Sequence, residues 1–212
     1  MLLIYAIPAS LYCAKLRIAL RHKGLEWKEQ PPPGGYGSAE FKRTVPSGNL
    51  PALQDGHLQI ADSEAIAEYL EETYPQPAML PADPAARAKV RERSRIHDTR
   101  LEPELRALFA YLPGRKQIST DFARDQSAVL QARIDQFAQI LVATPDAGDV
   151  LTLGDCGYPI TFAWLDELLP RLGMEISWPV KVVDYRRRVE ALEAVSKELA
   201  QYRPRLVALL EG

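Results

Sequence analysis

Two residues near the start of the chain, Ser10 and Cys13, are of types that can stabilise or carry a reactive anion. They lie where a short apolar run ends and helical spacing begins, so both are expected at the first turn of a helix. There the helix dipole and unpaired N–H groups favour an anion, and a hydroxyl can donate a hydrogen bond to it. A cysteine in such a turn can have a lowered pKa and form mixed disulfides. Each residue also has a structural interpretation, Ser10 as a helix N-cap and Cys13 as a buried thiol.

A second polar pair, Asp62-Ser63, directly precedes the segment EAIAEYLEETYP, whose apolar residues have helical spacing. Either residue type can cap a helix, and a hydroxyl at a helix N-terminus can help to hold a carboxylate. The pair therefore predicts the start of an amphipathic helix. Capping alone would be enough to explain it.

Length and composition narrow the class of protein. The chain has 212 residues, of which 47% are hydrophobic and 25% charged, as is usual for a globular protein with a sizeable core. Its formal net charge of -2 provides no field that would attract nucleic acid or an anionic membrane. A nucleic-acid or membrane partner is therefore not expected.

The cysteines indicate a reducing compartment. Cys13 and Cys156 are too few for a disulfide framework, and the three histidines show no metal-ligand spacing. The apolar N-terminal run meets Lys15 and Arg17 too early for a signal peptide or a membrane span. We therefore expect a cytoplasmic protein without a bound metal.

The first 74 residues show the order strand, helix, strand, hairpin, helix. The order β-α-β followed by a hairpin and a helix predicts a mixed sheet with a right-handed crossover. The hairpin is indicated by Asp55-Gly56 between two short apolar runs. The other elements are expected at Leu2 to Ala6 (strand), Leu11 to Gly24 (helix), Glu26 to Gln30 (strand) and after Asp62-Ser63 (helix).

A proline-rich stretch divides the chain. Residues 75–84, PQPAMLPADP, hold four prolines and are expected to form a linker. After it, Ala, Leu, Arg and Glu dominate and no segment alternates convincingly. We expect an α/β domain at residues 1–74 and an all-α domain at residues 85–212.

Three stretches together carry a family resemblance: SLYCAKLRIALRHKGLEW, PSGNLPALQDGHLQIADSEAIAEYLEETYP and LTLGDCGYPITFAWLDELLP. With them the chain resembles the cytosolic glutathione transferase superfamily, in particular its serine-type classes such as zeta, theta, phi and tau. The resemblance implies a thioredoxin-like N-terminal domain, an all-helical C-terminal domain and a homodimer. It also places Ser10 at the catalytic serine of the family pattern and Cys13 at the second serine.

The second stretch suggests how the tripeptide would be bound. By resemblance, the bond between Leu50 and Pro51 is cis, and the backbone of Leu50 pairs with the cysteinyl backbone of glutathione. Ser63 and its helix N-terminus would hold the γ-glutamyl carboxylate, and Asp62 the ammonium group. Asn49 stands where relatives carry Lys or Gln toward the glycine carboxylate.

The chemistry implied for Ser10 is activation of a thiol. A free thiol like that of glutathione has a pKa near 8.5, so only about a few per cent is thiolate at pH 7. Ser10 would stabilise this thiolate for attack on a small hydrophobic electrophile, with glutathione as co-substrate. Leu11, Phe109 and Tyr111 are candidate walls of the electrophile pocket, and their alternative role is core packing.

Two other functions stay open on the sequence. The same fold also serves in non-enzymatic interaction proteins, since a fold does not determine a function. A disulfide oxidoreductase that depends on Cys13 is the other alternative.

In the third stretch, Thr152-Leu153-Gly154-Asp155 resembles the family's capping box, with Thr152 and Asp155 as the capping residues and a structural role.

Overall fold

A computed structural model describes residues 1–143, 148 and 150–211 of the chain. The chain divides into two compact units, Met1–Met79 and Leu80–Gly212. The division falls within the stretch 75–84 that the prolines indicate as a linker.

The first unit is built on a four-stranded mixed sheet with the order β2-β1-β3-β4. β1 pairs with β2 in parallel and with β3 antiparallel, and β3 and β4 form an antiparallel hairpin. The parallel pair requires a crossover, which the first helix supplies. The strands are β1 (Leu2–Tyr5), β2 (Trp27–Gln30), β3 (Ala52–Asp55) and β4 (Leu58–Ala61).

Three helices complete the first unit: α1 (Leu11–His22), α2 (Ala39–Thr44) and α3 (Ser63–Thr73). Alternation along the strands gives the sheet two apolar faces. One face packs with residues of α1 and α3, including Leu16, Leu20 and Ile66, and the other packs Tyr5 against Phe41 of α2. Both faces are thus covered, and the N-termini of α1 and α3 are fixed by the core beneath them.

Among the described residues of the second unit, every regular element is a helix. The connections between its long helices include a π-helical turn at His97–Leu101 and 3₁₀ turns at Leu108–Tyr111 and Leu153–Asp155. The α-helices are α4 (Pro84–Ile96), α5 (Glu102–Ala107), α6 (Thr120–Ala143), α7 (Tyr158–Arg171), α8 (Val180–Ala191) and α9 (Glu193–Glu211). None of the helices so described has both the length and the apolar character that crossing a membrane would require.

The second unit is organised around α7. Nearly every residue of this helix up to Leu165 is buried, and the indole N–H of Trp164 donates a hydrogen bond of 2.7 Å to the hydroxyl of Tyr202. The Tyr158 ring stacks on Phe137 with 3.9 Å between the ring centres. Apolar burial of this kind is the main source of the unit's stability.

The capping box predicted at Thr152 and Asp155 is confirmed. The Asp155 carboxylate is fully buried and accepts hydrogen bonds from the Thr152 N–H at 2.9 Å and the Thr152 hydroxyl at 2.6 Å. The same carboxylate pairs with Arg93 at 2.9 Å and accepts from the Tyr185 hydroxyl at 2.9 Å. One buried charge therefore joins three helical segments.

The α/β thioredoxin-like first domain and the all-α second domain are both confirmed. Element boundaries agree within a residue or two, including the start of α1 at Leu11 and of α3 after Asp62. The hairpin differs in detail, since Asp55 pairs with Leu58 and the turn residues are Gly56 and His57. The φ of Gly56 is 58°, a left-handed conformation that glycine adopts without strain. The turn glycine was identified correctly, but its place in the turn was shifted by one position.

We expect Asp155→Ala to destabilise the protein by about 3–5 kcal/mol, because it leaves the buried Arg93 charge without its carboxylate. The free energy of unfolding from urea titration measures this. Asp155→Asn keeps the shape and one acceptor oxygen and is expected to cost less. A free energy of unfolding for Asp155→Ala within about 1 kcal/mol of wild type would contradict the central role of this carboxylate.

Candidate functional site

Sheet register brings the candidate residues of the first unit to one edge. Tyr5 is paired with Ala52, and Ala52 is paired in turn with Ala61, so these three residues form one row across the sheet. The chain leaves this row toward α1 after Tyr5, enters it at Ala52 and leaves it toward α3 after Ala61. The segments that carry Ser10, Leu50-Pro51 and Asp62-Ser63 therefore meet at the same edge.

Ser10 caps α1. Its backbone is extended, with φ -68° and ψ 126°, and its Oγ accepts a hydrogen bond of 3.3 Å from the N–H of Cys13. Capping uses a lone pair of the oxygen, so the hydroxyl can also act as a donor, and the Ser10 side chain hydrogen-bonds to the Cys13 thiol as well. A hydroxyl that accepts from an N–H is polarised and donates more strongly. The cap and the catalytic role proposed for Ser10 are thus chemically compatible.

Arg17 holds the loop that leads to Ser10. This residue is buried, and its guanidinium binds both oxygens of Glu29 at 2.7 and 2.8 Å. It also donates to the carbonyl oxygens of Pro8 at 3.3 Å and Ile7 at 3.4 Å. Arg17 thereby ties the loop between β1 and α1 to β2, and the position of Ser10 depends on this anchor.

Cys13 is buried in the first turn of α1, with 1% of its surface exposed. Burial raises the pKa of its thiol above the ordinary value, and the neighbouring Ser10, the backbone of Ile7 and the charge of Arg17 oppose this shift only in part. The thiol is therefore protonated at neutral pH. A buried, protonated thiol is poorly suited to nucleophilic attack.

The segment before β3 has the backbone that the resemblance implies. The Leu50–Pro51 bond is cis, Pro51 is buried and Leu50 is partly buried against the core on both faces of the sheet. Asn49 is exposed, and its N–H donates to the Ser47 hydroxyl at 3.2 Å.

Asp62 has a strained backbone. Its φ is 108°, a conformation that side-chain-bearing residues seldom adopt and that clusters at functional sites. The N–H of Asp62 donates to the Pro51 carbonyl at 3.4 Å, and its Oδ1 caps α3 by accepting from Glu64 at 2.9 Å and Ala65 at 3.1 Å. Asp62 thus links the cis-proline segment to the start of α3.

Ser63 is the first residue of α3 and is 5% exposed. Two N–H groups of the first turn, those of Glu64 and Ala65, already donate to the Asp62 carboxylate. The Ser63 hydroxyl nevertheless lies in the positive potential of a helix N-terminus, which suits a carboxylate.

The three residues suggested for an electrophile pocket lie in different units. Leu11 belongs to the first unit and is 3% exposed. Phe109 and Tyr111 lie in the 3₁₀ turn of the second unit, where Phe109 packs on Trp164 with 4.6 Å between ring centres and Tyr111 on Phe122 with 5.0 Å. All three have packing roles.

Among the described residues, no group of three His, Cys, Asp or Glu side chains is placed to hold a metal ion.

Sequence reasoning missed the charged residues that support this edge. Lys15 and Arg17 served only to exclude a membrane span, yet both are buried in α1, with 2% and 3% exposure. The available signal was their position among apolar residues that face the core on every side of the helix. Their partners, Glu64 and Glu29, are distant in sequence, and local patterns do not reveal such pairs.

The chain is similar to known proteins in both sequence and fold. Residues 4–78 match the family described as Glutathione S-transferase, N-terminal domain. Maleylpyruvate isomerase of Ralstonia sp is 30% identical over 210 residues, covering 89% of each chain. Glutathione S-transferase Z2 of Arabidopsis thaliana is 37% identical over 113 residues, and this match spans 51% of each chain, about half of the plant protein.

Among solved structures, the holo structure of maleyl pyruvate isomerase, described as a bacterial glutathione S-transferase in zeta class, superposes with a TM-score of 0.76. It is 25% identical, and the match covers 95% of this chain and 98% of that one. The fold of this relative therefore matches nearly the whole chain. The sequence alignment with the Ralstonia protein also extends over most of the chain. From its motifs, its site geometry and these relatives, the chain belongs to the glutathione S-transferase family of enzymes.

Proposed function

We propose that the protein activates glutathione by holding its thiol as a thiolate and directs that thiolate at a small hydrophobic electrophile. The observation that carries the proposal is the row Tyr5, Ala52 and Ala61, which brings the segments of a serine hydroxyl, a cis-proline backbone and a capped helix start to one edge of the sheet. A tripeptide with a thiol in the middle and a carboxylate at the γ-glutamyl end matches this order of groups.

Each end of the proposed site has a physical role. The Ser10 hydroxyl donates to the thiolate, which the N-terminus of α1 also favours, and a preorganised donor of this kind stabilises charge without reorganising. The backbone of Leu50 pairs with the cysteinyl part of the tripeptide. Ser63 receives the γ-glutamyl carboxylate, and Asp62 receives the ammonium group through a charge-assisted hydrogen bond.

The assignments are not equally supported. Asn49 is exposed with a short side chain, and nothing in its contacts favours a role toward the glycine carboxylate. Glutathione acts as co-substrate, and the mechanism assigns no step to a metal.

The reaction class is a second part of the proposal. Conjugation, isomerisation, dehalogenation and peroxide reduction all begin with the same thiolate. The Ralstonia relative carries the name maleylpyruvate isomerase and matches over 89% of each chain, so isomerisation of a small unsaturated acid is the first reaction to assay. An aryl halide and an organic peroxide complete the panel.

The assembly and location follow from the family resemblance. We propose a homodimer in the cytoplasm, with glutathione and a small electrophile as the partners. Light scattering during size-exclusion chromatography measures the mass of the assembly, and a mass near the 23.7 kDa of one chain would contradict the dimer.

We expect Ser10→Ala to lower kcat/KM roughly a hundredfold to a thousandfold, because one preorganised donor to the anion is removed. The pKa of the bound thiol should rise toward its free value of about 8.5, shifting the rising limb of the pH–rate profile to higher pH. Ser10→Thr keeps the hydroxyl and the cap and is the matched control. Activity and pH profile unchanged in Ser10→Ala would remove this hydroxyl from the mechanism.

For Ser63→Ala we expect glutathione to bind roughly tenfold to a hundredfold more weakly, since a hydrogen bond to a charged group is lost. The rate at saturating glutathione should change little, because Ser63 does not touch the sulfur. Isothermal titration calorimetry and a separate determination of kcat and KM distinguish the two effects. A tenfold to hundredfold loss of kcat with an unchanged affinity for glutathione would assign Ser63 another role.

Cys13→Ser should leave the transferase reaction nearly unchanged, because the raised pKa of Cys13 keeps its thiol protonated at neutral pH. Glutathione-dependent disulfide reduction is assayed beside it. Loss of disulfide reduction in Cys13→Ser while Ser10→Ala remains active would select the oxidoreductase alternative. Failure of the wild-type protein to bind glutathione would select the non-enzymatic one.

A further inference from the structure

Two buried Lys–Glu pairs join α1 and α3, one near the N-terminal ends of the helices and one near their C-terminal ends. In the front pair, Lys15 Nζ lies 2.8 Å from a carboxylate oxygen of Glu64. In the rear pair, Lys23 Nζ lies 2.6 Å from Glu71. The two helices therefore run in the same direction, and both starts lie at the edge that carries the proposed site.

The rear pair has a clear structural role. Lys23 also donates to the carbonyl oxygens of Tyr74 at 2.7 Å and Pro77 at 3.1 Å. Glu71 accepts from the N–H of Met79 at 3.0 Å. These contacts fix the chain that follows α3, at the end of the unit away from the helix starts.

The front pair occupies a different position. Glu64 directly follows Ser63 in the first turn of α3, and its own N–H is bound by Asp62. The lysine side chain is 2% exposed and the glutamate side chain 12% exposed, so water screens this pair poorly. The charge state of the pair therefore affects the electrostatic potential at the start of α3.

A glutamate in this turn creates an electrostatic problem for the proposed function. An acidic residue in the first turn suits the helix dipole, but it competes with any anionic ligand for the same positive potential. The γ-glutamyl carboxylate proposed to bind Ser63 would meet a like charge one residue away. Like charges in a poorly solvated site repel strongly.

We propose that Lys15 is a positioning residue that neutralises Glu64, and that this neutralisation keeps the start of α3 receptive to the γ-glutamyl carboxylate. The inference rests on the proposed function and adds a residue to it. Lys15 acts through Glu64 and touches no reacting atom. The glutamate in turn fixes the lysine, so that the pair contributes no net charge beside the ligand.

The test compares two ligands: glutathione, and 4-aminobutyryl-cysteinyl-glycine, which lacks only the γ-glutamyl carboxylate. In Lys15→Met, loss of the lysine charge beside Glu64 should weaken glutathione binding roughly tenfold and leave binding of the analogue unchanged. Glu64→Gln should bind glutathione at least as tightly as wild type. The double variant Lys15→Met/Glu64→Gln should recover wild-type affinity within about twofold, because the repulsion is gone.

The rear pair supplies the matched control. Lys23→Met and Lys23→Met/Glu71→Gln alter the same kind of buried pair between the same helices. They should lower the midpoint of thermal unfolding and leave the ratio of the two dissociation constants at its wild-type value. Calorimetric titration of each variant with both ligands gives this ratio, and a purely structural disturbance leaves it unchanged.

Three results would overturn the inference while leaving the proposed function in place. The first is a ratio of the two dissociation constants that stays unchanged in Lys15→Met with both affinities intact. The second is the same unchanged ratio with both ligands weakened equally, which indicates a structural disturbance. The third is a double variant that still discriminates against glutathione. If Lys15→Met does not fold, the double variant decides, since a direct need for the lysine charge would persist in it. Wild-type protein that binds neither ligand would overturn the proposed function itself and the inference with it.

Discussion

Three residues in register across three short strands determine where the proposed chemistry can occur. Tyr5, Ala52 and Ala61 form one row, and each adjoins a segment that carries a candidate group. A slip of one residue in any pairing would turn the side chains of that strand to the opposite face and move its segment along the edge. The apolar faces of the sheet prevent such a slip, because each is buried against helices. Core packing therefore sets the geometry of the site.

The edge of the sheet that carries the proposed site has a positive electrostatic potential, and nearby ion pairs affect its strength. The starts of α1 and α3 both lie there, and each helix N-terminus favours an anion. Acidic residues near them are already paired: Glu29 with Arg17 and Glu64 with Lys15, each at 2.7 or 2.8 Å. Buried pairs of this kind add little net stability. Their more specific effect is that a lysine or arginine balances the charge of each of these two glutamates close to the helix starts.

Local features could be predicted from the sequence, and distant ones could not. The caps at Ser10 and Asp62 and the capping box at Thr152 depend on contacts within three residues, so short patterns reveal them. The Lys15–Glu64 pair joins positions 49 apart, and a lysine in a helix ordinarily indicates a solvated face. The burial of Cys13 followed from its helical side, whereas the backbone strain at Asp62 depends on a contact with Pro51 that no local pattern contains.

The same residues cap helices and form the proposed site, which explains why sequence patterns alone did not separate the two roles. Asp62 uses Oδ1 to cap α3, and within the described residues its Oδ2 accepts no hydrogen bond. Ser10 accepts with its oxygen and keeps its proton. The strain at Asp62 costs roughly 1–3 kcal/mol and persists because the cap and the contact with Pro51 oppose its relief. Folding thus fixes each helix cap with one atom of these side chains, and the proposed site would use another atom of the same side chain.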